Sequence, residues 1–268
     1  MFIMENNMGK KTYSAPSVKK AFRILQTIAD SSGGLGISEL AKQLKIGKST
    51  VHGITTALEE VGALIRDPSE KKYRVGYTVL ELGRRVYAKM ELKEIARKPM
   101  EDLAREVGET AFLGVLNGYH VTILDVVESP NEMKITAPPG TRLPLLVGAT
   151  GRVLLAQLEK EKAREIVERM GLVRYTPKSK IDPGEFLKGV ARAKKVGYAI
   201  DDEEYLLGAR AIAAPIQGAS LPPAALWIVG FSSSLDDRKM EKASREVQRT
   251  AQEISQSLKS LAQGGFKV

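Results

Sequence analysis

The sequence predicts an α+β protein built from two domains that a helix connects. Apolar residues recur at helical spacing in three short segments of the first 62 residues. The apolar spacing then changes to two in a pair of short segments around a polar turn, which is typical of a β-hairpin. From Thr110 onward, strand-like and helix-like segments alternate, which favours an antiparallel sheet with helices packed on it.

The segment at residues 46–62 has the clearest pattern of the three helices. Four apolar residues share one face at spacings of three, four and three: Val51, Ile54, Leu58 and Val61. We expect Ser49 to cap its amino end and Gly62 to be the left-handed residue after its carboxyl end. The other face carries short polar groups and one cation: Lys48, Ser49, Thr50, His52, Thr55 and Thr56. The major groove of DNA accepts a helix with such a face.

Two further helices precede this segment. We expect the first to begin after an N-cap at Ser17 and the second after an N-cap at Ser38. Residues 45–47 then make a short turn, and two helices joined by such a turn are typical of a helix-turn-helix. Residues 47–49, Gly-Lys-Ser, also match the end of a phosphate-binding loop. That loop is excluded, because its first glycine would stand where this chain has Lys42.

A basic hairpin follows the helices. Residues 63–66 and 73–75 have the pattern of two strands around a polar turn. Three cations lie on this hairpin: Lys71, Lys72 and Arg74. The order of helix, helix-turn-helix and hairpin predicts a winged helix-turn-helix that binds DNA, and a winged helix that docks on a protein is the alternative.

The distribution of charge agrees with a DNA-binding amino-terminal domain. Up to Lys98 the chain has 18 Lys and Arg against 10 Asp and Glu, and the remainder has 23 against 22. Nearly all of the net charge of +9 therefore lies in the first third. A basic domain joined to a near-neutral one favours a polyanionic partner for the first, with a merely soluble basic surface as the alternative.

Composition excludes several classes of protein. No run approaches the roughly 18 apolar residues of a membrane span, and we expect no membrane partner. The chain has no cysteine, which excludes disulfides and thiolate metal sites and fits a cytoplasmic protein. Its two histidines, His52 and His120, are too few for a multi-histidine metal site. Because no catalytic set of residues is present either, we predict no enzyme, no metal and no cofactor.

The chain resembles the IclR family of transcriptional regulators. The DNA-binding domain of that family is matched by SVKKAFRIL, ISELAKQLKIGKSTVHGITTALEEVGAL and YRVGYTVLELG. Its effector domain is matched by ESPNEMKITAPPGTRLPL, GATGRVLLA and KKVGYAIDDEEYLLGARAIAAPI. The resemblance implies a sequence-specific regulator with a DNA operator, a GAF-like effector domain and a homodimer or homotetramer. An enzyme or small-molecule binder with a vestigial winged helix is the alternative.

The resemblance and the changes of period together divide the chain. We expect a disordered arm (1–16), a winged helix-turn-helix domain (17–78), a linker helix (79–98), a GAF-like effector-binding domain (99–263) and a tail (264–268). The linker helix has an apolar seam of Val79, Leu82, Val86 and Met90, which suits pairing with a second subunit. Packing on its own domain is the alternative. Pro99 is expected in the first turn of a new helix.

The second domain reads as alternating strands and helices. Strands are expected at 110–117, 120–128, 133–137, 210–216 and 224–231, and helices at 148–158, 160–170, 182–197 and 236–261. Asp182 is expected to cap the helix that begins with Pro183. We interpret the acidic run at 201–204 as a solvated loop or a cap.

The resemblance also implies an effector pocket. Gly148, Ala149 and Thr150 match a loop that presents amide groups to the ligand in family members that bind small carboxylates. Asp201 matches a carboxylate of that pocket. Amide groups at the start of a helix favour an anion, because the unpaired N–H groups and the helix dipole both attract negative charge.

The opposite wall of the pocket departs from those members. Trp227 and Val229 stand in place of two serines, and Ala209 and Ala211 stand in place of an apolar residue and a small thiol. Trp227 and Val229 alternate on one strand and therefore face the same side. We expect a larger carboxylate effector with an apolar or aromatic body. A Trp227 that belongs only to the core is the alternative.

We assign the DNA contacts from the exposed face of the third helix and from the hairpin. Lys48, Thr50, His52 and Thr55 are the candidates for groove contacts, Ser49 for a cap or phosphate contact, and Lys71, Lys72 and Arg74 for phosphate contacts. The chain departs from the family at Gly53, where an arginine is common. Glycine there costs about 0.5–1 kcal/mol of helix stability relative to alanine.

Overall fold

The computed structural model describes residues 15–87, 91–218 and 222–263. The chain divides into two compact units, residues 1–89 and 90–268. Residues 1–14 of the expected arm and the whole expected tail lie outside the described residues. Among the described helices, none is long and apolar enough to cross a membrane.

The first unit has the predicted winged helix-turn-helix. Its described elements are α1 (Pro16–Ala29), α2 (Ile37–Leu44), α3 (Lys48–Glu60), β1 (Leu64–Arg66), β2 (Tyr73–Val75) and α4 (Tyr77–Tyr87). Strands β1 and β2 pair antiparallel, and Leu35 forms an additional bridge to Tyr73. The core lies between the helices and the hairpin, and its fully buried side chains include Ile24, Leu40 and Val51.

The first two helices begin differently from the prediction. Pro16 occupies the first turn of α1, so Ser17 lies inside the helix instead of capping it. Helix α2 follows Gly36, whose N–H donates to Oε2 of Glu39 at 2.7 Å. The Ser17 and Ser38 caps were therefore wrong. Proline is preorganised for a first helical turn, and the Glu39 carboxylate satisfies the backbone at the start of α2.

The start of the third helix also differs from the prediction. Gly47 is the N-cap of α3, so Ser49 lies in the first turn and the predicted Ser49 cap was wrong. Gly62 has a φ of 71°, which confirms the left-handed residue after the helix. Val61 is 62% exposed because it lies beyond the last turn of α3, so it does not extend the apolar face. The turn before α3 is confirmed, since Lys45 ends α2 in the left-handed region.

The second unit is a six-stranded antiparallel sheet with helices on both faces. Its described elements are α5 (Glu91–Val107), β3 (Thr110–Asn117), β4 (His120–Val127), β5 (Arg142–Pro144), α6 (Gly148–Leu155), α7 (Lys160–Met170), α8 (Pro183–Val196), β6 (Ala199–Asp202), β7 (Ala209–Ile216), β8 (Ala224–Phe231) and α9 (Asp237–Gln263). The strand order is β5-β4-β3-β8-β7-β6. This α+β architecture confirms the predicted fold class.

Two apolar layers cover the two faces of the sheet. Helices α5 and α9 enclose one layer, which contains Met100, Leu113 and Ile228. Helices α6, α7 and α8 enclose the other, which contains Phe186 and Trp227. Asp182 accepts a hydrogen bond from the Glu185 N–H at 2.8 Å and caps α8 as predicted.

The expected new helix at Pro99 was wrong, because α5 is described from Glu91 to Val107 and continues through Pro99. The expected linker helix at 79–98 includes residues 88–90, which lie outside the described residues. Leu92, Ala96 and Met100 are buried against the sheet at 2%, 0% and 0% exposure. Burying large apolar side chains contributes about 1.5–3 kcal/mol each, which together offsets the roughly 3 kcal/mol cost of an interior proline.

Two segments of the sheet also differ from the prediction. Residues 133–137 form no strand; pairing with β4 resumes at Gly140, whose N–H donates to the Ile123 carbonyl at 2.8 Å. Pro138 and Pro139 lack amide donors, so the chain cannot donate to a neighbouring strand at these two positions. The acidic run was interpreted as a solvated loop or cap, but its first two residues belong to β6 and pair with β7.

Candidate functional site

The amino-terminal half of α3 presents a polar surface. Lys48, Ser49, Thr50 and His52 are all exposed. Val51, in the same turns of the helix, is fully buried, which fixes the rotation of α3 about its axis. Four of the predicted DNA-contacting side chains are therefore accessible to a partner.

Thr55 differs from that prediction. Its side chain is 0% exposed, and its Oγ1 donates to the His52 carbonyl at 3.0 Å. Thr55 lies one helical turn after Val51, so both point into the core. Thr55 cannot reach a base edge from this position, and its polar character misled the sequence-based assignment.

The hairpin carries its cations at and beside a tight turn. Asp67 closes the turn by accepting hydrogen bonds from the Ser69 hydroxyl at 2.6 Å and from the backbone of Ser69 and Glu70. These bonds lower the pKa of Asp67 to about 2. Lys71 lies in the left-handed region at a φ of 55° and is exposed, as is Arg74.

One hairpin cation is partly engaged. Lys72 Nζ lies 3.4 Å from Oε2 of Glu70. Exposed pairs of this kind contribute little, so Lys72 can exchange the Glu70 carboxylate for a phosphate. Arg66 on the neighbouring strand, which the sequence-based assignment omitted, is also exposed, and its guanidinium carbon lies 5.8 Å from the centre of the Tyr73 ring.

A cavity of about 120 Å³ lies in the second unit, between the sheet and the amino end of α6. Its lining includes seven predicted effector residues: Ala149, Thr150, Asp201, Ala209, Ala211, Trp227 and Val229. Gly148, the eighth, lies behind this lining, where a Cβ atom would overlap the Asp201 carboxylate. The structure thus brings together all eight, and we call this space the effector cavity.

Aromatic rings form the floor of the effector cavity. Phe112 and Trp227 are register partners on β3 and β8, and their rings stack with centroids 5.5 Å apart and planes 9° apart. Trp227 is only 2% exposed because it belongs to the core as well as to the cavity wall. Gly114 makes room for the indole, since a Cβ there would lie 2.8 Å from the indole carbon Cη2.

Asp201 is the buried acidic group of the effector cavity. It is 6% exposed, and its Oδ1 accepts a hydrogen bond from the Glu204 N–H at 2.6 Å. Burial raises the pKa of Asp201 to about 6, although the Glu204 hydrogen bond opposes the rise. The carboxyl group therefore changes charge close to neutral pH.

An ion pair holds the segment that follows Asp201. Arg152 donates hydrogen bonds to both carboxylate oxygens of Glu204, and the bond to Oε1 is 3.0 Å long. Arg152 also donates to the Ile200 carbonyl at 3.0 Å. Tyr205 and Leu206, which come next, line the effector cavity. The bidentate geometry fixes this wall relative to α6.

Sequence reasoning missed Phe112, Tyr205 and Leu206 as cavity residues. Residues 135–137, predicted as a strand, also line the cavity as irregular chain. Tyr205, Leu206 and residues 135–137 lie within matched motifs, but no feature of those motifs marks them as lining residues. Phe112 lies in no matched motif, and its position depends on the pairing of β3 with the distant strand β8. Among the described residues, no cluster of three or more histidines and carboxylates could hold a metal ion.

Comparisons with known proteins identify both units. Residues 17–68 match the family model described as the IclR helix-turn-helix domain. Residues 84–256 match the model described as the bacterial transcriptional regulator IclR C-terminal domain.

Individual proteins show the same likeness. The transcriptional repressor IclR of Escherichia coli is 29% identical over 259 residues, which cover 96% of this chain and 93% of that protein. The HTH-type transcriptional regulator BhcR of Paracoccus denitrificans is 32% identical, over 89% of this chain and 86% of that protein.

A solved structure adds a bound ligand to the comparison. It is an IclR homolog from Microbacterium hydrocarbonoxydans in complex with 4-hydroxybenzoate, 25% identical to this chain with a TM-score of 0.75. The match covers 91% of this chain and 100% of that one. These relatives are regulators and not enzymes, which favours regulation over the alternative of a vestigial winged helix. The chain belongs to the IclR family of DNA-binding transcriptional regulators.

Proposed function

We propose that this regulator responds to a carboxylate effector with a flat apolar body, which binds in the effector cavity. The observation that carries the proposal is that the stacked Trp227 and the first turn of α6 line the same cavity. The N–H groups at the start of a helix have no partner within it and favour an anion. The indole offers a face to an aromatic ring. The 4-hydroxybenzoate of the Microbacterium protein has this chemistry.

Intrinsic fluorescence tests the effector proposal directly, because Trp227 is the only tryptophan of the chain. Titration with 4-hydroxybenzoate is expected to change the emission saturably, and acetate, which lacks the ring, is expected to bind more weakly. Calorimetry provides the independent measure of binding. Saturable binding of 4-hydroxybenzoate by calorimetry without any change of emission would contradict the proposal.

We infer that α3 enters the major groove of the operator. Exposure of Lys48, Thr50 and His52 in the first turns of α3 supports base contacts, and Ser49 is near enough to the helix start for a phosphate contact. Lys71, Lys72 and Arg74 of the hairpin supply phosphate contacts, which add affinity more than specificity. The regulator acts where the DNA lies, in the cytoplasm.

Footprinting on the DNA upstream of the protein's own gene tests operator binding. We expect protection of two half-sites spaced by about one helical turn, or a multiple, that weakens steeply as salt increases. Absence of specific protection at every salt concentration contradicts the inference.

We also propose that the regulator is a homodimer, or a dimer of dimers. In the first unit, Val18 and Phe22 are 55% and 60% exposed on one side of α1, and Tyr77 and Leu80 are 73% and 57% exposed on α4. Exposed apolar side chains in such clusters are typical of protein contacts. This placement supports the linker helix as part of the contact.

Sedimentation measures the assembly. Phe22→Glu is expected to raise the dissociation constant of the dimer, because a charge would be buried in the contact. Met133→Glu, at a residue 78% exposed in the second unit, is the matched control. Equal sedimentation of Phe22→Glu and the wild type as dimers would contradict this contact.

A further inference from the structure

A second cavity is lined by α7, α8 and the end of α6, and it shares no lining residue with the effector cavity. Its volume is about 350 Å³, within the range of small-molecule sites. Leu155 and Leu158 contribute to its lining at the end of α6, and Leu187 and Val190 contribute from α8. We call this space the α7–α8 groove.

Cations stand on both walls of the α7–α8 groove. Lys160 and Arg164 lie one turn apart on α7, and Lys194 and Lys195 lie in the last turn of α8. All four are exposed. Four positive charges around an apolar surface attract an anion whose remaining part is apolar.

The four cations differ from two lysines on the same helices. Lys162 pairs with Glu165 at 2.8 Å, and Lys188 pairs with Glu185 at 2.8 Å, but neither lysine lines the groove. Within the part of the chain that the structure describes, none of the four groove cations has a carboxylate within ion-pair distance. The groove thus concentrates positive charge that the fold itself does not neutralise.

We propose that the α7–α8 groove binds an anionic amphiphile, a molecule with an aliphatic chain and a carboxylate or phosphate head. The leucines and Val190 cover the chain, which gains about 25 cal/mol for each Å² of apolar surface removed from water. The cations hold the head, and salt screens this attraction over about 10 Å at 0.1 M. The proposal is independent of the effector proposed for the other cavity.

The test uses the full-length protein and the fluorescent probe anilinonaphthalene sulfonate, which combines aromatic rings with an anionic group. The probe is expected to bind saturably and more weakly at high salt. Decanoate and decyl phosphate, both below their micellar concentrations, are expected to displace it. Decanol, with the same chain and no charge, is expected to displace it much less. The relative potency of decanoate and decyl phosphate shows whether the groove prefers a carboxylate or a phosphate head.

Two variants locate the binding in the α7–α8 groove. Ala191→Trp fills the groove from an exposed position on α8 and is expected to abolish displaceable binding. Lys195→Glu is expected to weaken probe binding by about fivefold or more, since it reverses a charge beside the head. Lys259→Glu, an exposed reversal on α9, is the matched control and should leave binding unchanged. Unchanged probe affinity in Ala191→Trp, or displacement by decanol equal to that by decanoate, overturns the proposal.

Discussion

Phe112 and Trp227 are paired residues of adjacent strands, and their rings lie stacked 5.5 Å apart beside the effector cavity. The stack places the indole flat along the sheet, where Gly114 leaves room for it. The orientation of Trp227 therefore depends on a residue that has no side chain. A larger residue at position 114 would affect the cavity without contacting the ligand itself.

Gly114→Ala is expected to destabilise the protein and to weaken effector binding. The new Cβ would lie 2.8 Å from the indole and 2.9 Å from the Thr122 carbonyl oxygen, so the ring or the strand must shift. Overpacking of this kind costs about 1–3 kcal/mol. Urea unfolding measures the stability, and Trp227 emission reports the displacement of the indole. Gly118→Ala, in the exposed hairpin turn at a φ of 61°, is the control that strains the backbone without contacting Trp227.

Gly53→Ala is expected to stabilise the first unit by about 0.5–1 kcal/mol, because alanine loses less backbone entropy than glycine on forming a helix. Gly53 is exposed on α3, and nothing lies within 4 Å of the position of a Cβ there. Thermal unfolding measures the gain. Gly76→Ala is the contrasting control, since its Cβ would overlap the Gly62 carbonyl oxygen. A loss of stability in Gly53→Ala would mean that the fold requires glycine at this position.

Lys71→Ala is expected to weaken binding to all DNA sequences alike and to reduce the salt slope of log K by about one. Thr50→Ala is expected to change the preference among operator variants instead, because Thr50 is one of the proposed base contacts. Competition binding over a salt series separates the two effects. Thr55→Val is the control, since it alters a fully buried side chain and should leave the sequence preference unchanged. An altered sequence preference in Thr55→Val would indicate that Thr55 does contact the bases.

The sequence predicted what depends on local patterns. The helix-turn-helix, the hairpin and four strands of the larger sheet follow from apolar spacing and turn residues over short windows. The prediction failed where a distant contact decides the outcome. Leu92 and Ala96 extend α5 past Pro99 only because the sheet buries them. Thr55 is fully buried on a helix that packs against α1 and α2, which its polarity does not reveal.

The residues of the effector cavity also differ in whether the sequence predicted them. Family resemblance located Asp201, which lies in a matched motif, and Trp227, which stands in place of a serine of the family, and both line the cavity. Phe112 contributes through its register with Trp227, a residue more than a hundred positions later in the chain. From composition alone, the acidic run around Asp201 resembles a solvated loop. Composition does not indicate that α6 and residues 203–205 cover Asp201.

The stability of the Asp201→Asn variant relative to the wild type is expected to increase as the pH rises. Burial raises the folded-state pKa of Asp201 to about 6 from an unfolded value of 3.8. Between these values the folded state binds more protons, so the wild type loses stability as the pH increases towards 6. Asparagine does not titrate and can still accept the Glu204 N–H. From pH 4.5 to pH 7.5 the difference should shift by about 2 kcal/mol in favour of the variant.

Urea unfolding at the two pH values measures this shift, and Asp202→Asn is the control that should show almost none. Partial burial opposes the effect, but the hydrogen bond from Arg210 at 2.7 Å lowers the pKa of Asp202 below its unfolded value of 3.8. The Asp202 carboxylate therefore stabilises the fold above its unfolded pKa, and this contribution is lost only as the pH falls below that value. The difference between Asp202→Asn and the wild type should stay nearly constant from pH 4.5 to pH 7.5. An equal shift in both variants would mean that burial of Asp201 is not the cause of its titration near neutral pH.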